Sequence, residues 1–203
     1  MNTPVTQHKV MIIHPLWLRL THWINALAVL IMVTSGWRIY NASPLFSFTF
    51  LDQLTLGGWL GGALQWHFAG MWLFFINGLC YLLINIFSGR FKRKFLPLKP
   101  RLFFIEIGAA LRGKLTHSDL SRYNMVQRAA YLFVIADSIL LVVAGLVLWK
   151  SVQFPLLRVL LGGYDTARYI HFFAMVAMVG FVIIHLLMVA IVPKTLLAML
   201  RGR

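Results

Sequence analysis

Four histidines in this 203-residue chain fall inside stretches apolar enough to sit in lipid: His22, His67, His171 and His185. Ionisable side chains are costly inside a bilayer and mark proton, ion or cofactor sites there. Neutral imidazole is also the commonest metal ligand. The stretch YIHFFAMVAMVGFVIIHLL, residues 169–187, carries two of the four, fourteen positions apart. At 3.6 residues per turn that is just under four turns, so His171 and His185 point the same way about 21 Å apart. One helix then offers two ligands to one bundle interior, and each needs a partner from another helix. Zinc or copper fits poorly, because no carboxylate or thiolate accompanies either histidine. Methionine ligation by Met175, Met178 or Met188 is not required if histidines pair with histidines. His8, His14 and His117 lie outside the apolar stretches and read as solvated or interfacial side chains.

The elements that must position these residues are transmembrane helices. The chain is 60% hydrophobic and 12% charged, against about a quarter charged in a soluble domain. A spanning helix needs about 20 mostly apolar residues, and four segments qualify: 16–39, 66–87, 129–149 and 169–192. Pro15 precedes the first and Pro193 follows the last, the usual helix punctuation. The reading is an all-α membrane protein, a single four-helix transmembrane domain over residues 1–203. The first residues lack a basic start, an apolar run and a cleavage site, so the N-terminus is expected to be retained. One cysteine, Cys80, makes no intrachain disulfide, and neither C-x-x-C-H nor an iron–sulfur set is present.

The net charge is +14. In a soluble chain that would suggest nucleic acid, but here the charges follow the positive-inside rule and no nucleic-acid partner is expected. Residues 40–65 carry no Lys or Arg, residues 88–128 carry ten, residues 150–168 carry three, and the tail adds Lys194, Arg201 and Arg203. The basic middle loop belongs in the cytoplasm, and with four spans both termini do too. The bacterial inner membrane is the expected location. Segment 101–115 has helical apolar spacing with basic ends and reads either as an interfacial helix or as a solvated connector. The glycines of LGGWLGGAL, 56–64, fit close packing or a turn.

That topology sorts the histidines by depth. His22 and His185 sit at similar depth toward the cytoplasmic side, and His67 and His171 lie one or two residues inside the outer ends of their spans. Two level pairs on facing helices are what bis-imidazole iron in a four-helix bundle requires. Two haems b are therefore expected, held by His22 with His185 and by His67 with His171. Arg19, one turn before His22, either meets propionates of the inner haem or anchors a span end; Arg38 and Arg168 stand likewise at the outer end. Asp137, the one carboxylate within a span, either moves protons or hydrogen-bonds a neighbouring helix.

The motifs HPLWLRLTHWINALAVLIMVTSGWRIY, WHFAGMWLFFINGLCYLL, YNMVQRAAY and H-x13-H resemble the bacterial cytochrome b561 and nickel-hydrogenase b-type cytochrome family, thiosulfate-reductase and formate-dehydrogenase subunits included, over residues 10–200. The resemblance implies the same histidine pairs and a quinone site near the inner haem. In formate-dehydrogenase-like relatives a Y-N-x-x-Q-[KR] motif contributes to that site; here it reads Tyr123, Asn124, Gln127 and Arg128. The plain alternative is that Asn124 caps the third span and Arg128 anchors it.

The function expected is electron transfer between membrane quinone and a periplasmic redox subunit that, by the resemblance, is a molybdopterin oxidoreductase. No nucleotide, flavin, molybdenum or iron–sulfur motif occurs, so substrate chemistry is expected on that partner. The alternative is a stand-alone oxidoreductase, such as a superoxide:quinone oxidoreductase, with Lys150, Arg158 and Arg168 attracting an anion near the outer haem. A haem-free transport bundle would show inverted repeats or broken helices, and none is evident.

Overall fold

The computed structural model describes residues 14–112 and 123–202. His8 and His117, with Lys114, Arg122 and Arg203, lie outside the described residues. The chain runs α1 (Leu16–Ala42), a 3-10 turn (Asp52–Leu54), α2 (Leu60–Phe87), α3 (Arg90–Phe95), α4 (Pro100–Leu111), α5 (Met125–Trp149), α6 (Pro155–Leu160), α7 (Tyr164–Ile191) and α8 (Lys194–Arg201). No strand occurs among the described residues. α1, α2, α5 and α7 are each long and apolar enough to cross a membrane.

Three of these helices begin earlier than the apolar spans predict: α2 at Leu60 rather than 66, α5 at Met125 rather than 129, and α7 at Tyr164 rather than 169. Hydropathy marks the lipid-crossing part, whereas backbone hydrogen bonding continues until the chain is forced to turn. α2 is stopped by a tight turn at Gly57, which has φ 107°; a Cβ there would lie 2.4 Å from the Ala63 nitrogen. Gly57 and Gly58 therefore make a turn, and Gly62, inside α2, serves close packing, since a Cβ there would lie 2.3 Å from the Gly57 carbonyl oxygen. α7 starts after Gly163, with φ 99°. α5 starts at an Asn124 cap.

The spans form two hairpins. α1 packs along α2, and α5 packs along α7; no span of one hairpin packs comparably on a span of the other. Ala28, Ala63, Ala144, Ala167 and Ser35 are fully buried, and such small residues let membrane helices approach closely. Large apolar residues such as Leu27, Ile76, Ile184 and Leu187 face outward, where lipid rather than water is their natural surround.

The seam between the hairpins is clasped at both ends. At the upper end, Phe46, Phe48 and Phe50 place alternate rings against both hairpins. Phe50 stacks on Trp37 of α1 at 4.8 Å, Phe48 stacks on Tyr40 at 5.4 Å, and Phe46 meets Phe172 of α7 at 5.4 Å. Asn41 pins this strap by hydrogen bonds to both the N–H and the C=O of Phe50, each 2.8 Å. At the lower end, the His14 N–H reaches the Gly202 carbonyl at 3.4 Å. The Arg19 guanidinium donates to the carbonyls of Met199 and Leu200, where a cation suits the C-terminus of α8.

Segment 101–115 is helical as α4 through Leu111. Its Glu106 carboxylate accepts from the backbone N–H groups of Met125 at 2.5 Å and Val126 at 3.3 Å. A carboxylate on α4 thereby satisfies orphan donors at the start of α5.

Candidate functional site

The four span histidines face one another across the seam in two pairs. His22 of α1 and His185 of α7 have ring centroids 6.0 Å apart, with planes at 64°. His67 of α2 and His171 of α7 have centroids 6.5 Å apart, with planes at 66°. All four side chains are half-buried. Each pair takes one ring from each hairpin, so the hairpin spacing sets the ring spacing. The pairing is the one that depth along the sequence predicts.

His67 is the eighth residue of α2 and His171 the eighth of α7, about two turns below the helix starts, because both helices extend beyond their apolar spans. His22 is the seventh residue of α1 and His185 the seventh from the end of α7. Both pairs therefore stand about two turns in from the helix ends.

The lower pair leans on aromatic neighbours. His185 stacks on Phe181 at 6.0 Å, and His22 meets Trp23 edge-on at 5.3 Å. Asn77 of α2 holds the backbone beside His22, donating to the Thr21 carbonyl at 2.8 Å and the Asn25 side chain at 2.6 Å. Sequence reasoning passed over Asn77, although a buried amide in an apolar span is itself a signal.

The upper pair is held by polar contacts. Ser35 Oγ lies 3.0 Å from His67 Nδ1. Gly36 and Gly145 face the rings of His67 and His171. Sequence reasoning missed all three, yet the parallel pairs Ser35-Gly36 and Ala144-Gly145, each late in its span, were a visible signal.

The other predicted site residues have structural partners. Arg19 is engaged with the end of α8. Arg38 pairs with Asp52 at 2.5 Å, and Arg168 donates to the Ser43 carbonyl at 2.8 Å and to its hydroxyl. Asn124 and Gln127 form a capping box at α5: Asn124 Oδ1 accepts from the Gln127 N–H at 2.8 Å, and Gln127 Oε1 accepts from the Asn124 N–H at 3.1 Å. Arg128 donates to the carbonyls of Tyr123, Leu96 and Pro97. Asp137 is buried, and one of its carboxylate oxygens has no hydrogen-bond partner.

Residues 13–202 match the prokaryotic cytochrome b561 family. The chain belongs to that family. A relative from Azospira oryzae is 62% identical over 194 residues, covering 96% of this chain and 98% of its own length. It carries a provisional name, protein-methionine-sulfoxide reductase subunit YedZ1. Membership of the cytochrome b561 family implies b-type haem, and the four span-length helices make the chain a multi-pass membrane protein.

Proposed function

We propose that this chain is a di-haem b subunit that carries electrons across the bacterial inner membrane, between a quinone site at the lower, cytoplasmic end and a periplasmic reductase at the upper end. One observation carries the reading: the two imidazole pairs face each other across the seam at 6.0 and 6.5 Å. Two metal–nitrogen bonds of about 2 Å each, plus the radii of two imidazole rings, come to about 6 Å. Both ring separations therefore match one iron held between the two imidazoles of a pair. A zinc-type alternative lacks support, since no group of three His, Cys, Asp or Glu gathers among the described residues.

When bound, haem supplies one-electron oxidation and reduction at its iron. The residues of the chain do the rest. His22 with His185, and His67 with His171, would hold the two haem irons through imidazole nitrogens, the commonest protein metal ligands. The clasps at both ends fix the hairpin spacing and hence the ring spacing. At the lower end the capping box uses the amide oxygens of Asn124 and Gln127. Among the described residues their NH2 groups donate to no partner and suit a quinone carbonyl, so the cap and the quinone role are compatible.

The relative's name supplies a direction. A subunit of a methionine-sulfoxide reductase must deliver electrons to a sulfoxide. That reduction consumes two electrons and two protons and releases water; oxidation of a quinol yields two electrons and two protons. On this reading quinol is oxidised at the lower end and the partner is reduced at the upper end. The molybdopterin character of the partner follows from the family resemblance.

Single alanine replacements test the ligand assignment. His22→Ala and His185→Ala are each expected to remove one spectral haem component, and His67→Ala and His171→Ala the other. Loss of both components in every variant, with helical content retained, would contradict two separate pairs. Copurification of the tagged chain with a soluble redox subunit supports the partner, whereas sustained quinone-linked turnover by the purified chain alone counts against it.

A further inference from the structure

Two segments on different hairpins treat the upper histidines alike. In α1, a Cβ on Gly36 would lie 3.4 Å from His67 Cε1 and 3.8 Å from Nδ1. In α5, a Cβ on Gly145 would lie at the same two distances from His171. Each glycine follows a fully buried small residue, Ser35 or Ala144. Four residues before each glycine a carbonyl approaches the ring, Met32 for His67 and Leu141 for His171. The match breaks at one atom: Ser35 has a hydroxyl and Ala144 has none.

That atom fixes a proton. Ser35 Oγ lies 2.6 Å from the Ile31 carbonyl and 3.0 Å from His67 Nδ1. A hydroxyl has one proton to give, and a carbonyl can only accept. The Ser35 proton therefore goes to Ile31, and its oxygen accepts from the ring. Nδ1 of His67 carries the proton, which leaves the lone pair on Nε2. No hydrogen bond closes on His171 Nδ1, despite the nearby Leu141 carbonyl.

We propose that Ser35 is a positioning residue for the upper haem: its hydroxyl fixes the tautomer of His67, makes that imidazole the more basic of the two ligands, and so sets the upper reduction potential. The proposal rests on His67 and His171 being haem ligands. A ligand imidazole whose other N–H is hydrogen-bonded is a stronger donor and favours the ferric state. Among the described residues no hydroxyl hydrogen-bonds either ring of the lower pair, so the two sites are tuned separately.

The test is a redox titration of the purified chain alongside Ser35→Ala and Ala144→Ser. The upper haem is identified as the spectral component lost in His67→Ala. Ser35→Ala is expected to raise the upper midpoint potential and Ala144→Ser to lower it, while the lower haem stays put. The expected size is up to about tenfold in the ferric/ferrous ratio, about 59 mV for one electron. An unmoved upper potential in both variants, with haem bound, overturns the proposal, and so does an equal shift of both haems. Wild-type protein with no haem at the upper pair would instead sink the ligand reading beneath it. Should Ser35→Ala fail to assemble, Ala144→Ser decides alone: a lowered upper potential supports the proposal and an unchanged one overturns it.

Discussion

His14 stands at the head of α1 among Arg19, Arg90 and Lys94. Burial first, and then these cations, push its imidazole below the ordinary 6.5. The folded chain binds that proton less readily than the unfolded chain. The stability that depends on neutral His14 is therefore complete above about 6.5 and lost as pH falls below it. Since the backbone of His14 also holds Gly202, protection of the α8 amides from hydrogen exchange should drop between pH 7 and pH 5. His14→Asn should flatten that dependence; pH-independent protection factors in the wild type would contradict it. The four span histidines were legible in the sequence because lipid makes any ionisable group conspicuous. The partners of Arg19 and Ser35 were not. Arg19 finds its acceptors about 180 positions away, and a serine in an apolar run looks the same whether or not an imidazole faces it.

The four spanning helices were legible in type and number but not in their ends, and the short helices α3, α6 and α8 were not foreseen. The start of α5 shows why. Its orphan N–H groups are met by Asn124 nearby and by Glu106 from another helix. Capping carboxylates are worth about 1 kcal/mol, so Glu106→Ala should destabilise the chain by about that much, and Glu106→Gln by less, in thermal melts. The strap is a second case. FSFTF, 46–50, alternates like a strand, yet its rings cap helices, because only the fold brings Trp37, Tyr40 and Phe172 under them. Phe48 remains partly exposed. Phe48→Ala should therefore cost about 1–2 kcal/mol, less than the 3–5 of a fully buried phenylalanine, and should speed proteolysis within 43–59. Unchanged cleavage would mean that the strap does not close the upper end.

At the scale of the whole molecule, the sequence made the architecture readable through two simple signals: span length and the fourteen-residue histidine spacing. The division into two hairpins was not readable, because apolar faces look alike whichever neighbour they meet. That division gives the histidine pairs their meaning, since each pair joins one hairpin to the other at a fixed separation. The clasps at Arg19 with α8 and at Phe46–Phe50 with α1 and α7 keep that separation. Removing the cofactor should therefore loosen the seam before it melts the hairpins. Haem-free protein is expected to keep its helical content while losing thermal stability; equal melting with and without haem would contradict a cofactor placed between the hairpins.

The most direct test of the central claim is the dithionite-reduced minus oxidised spectrum of the purified chain, with haem counted as its pyridine haemochrome. Two haems b per chain is the result expected from two facing histidine pairs. One haem per chain would contradict the second pair, and none, in folded protein from haem-replete cells, would contradict the account as a whole.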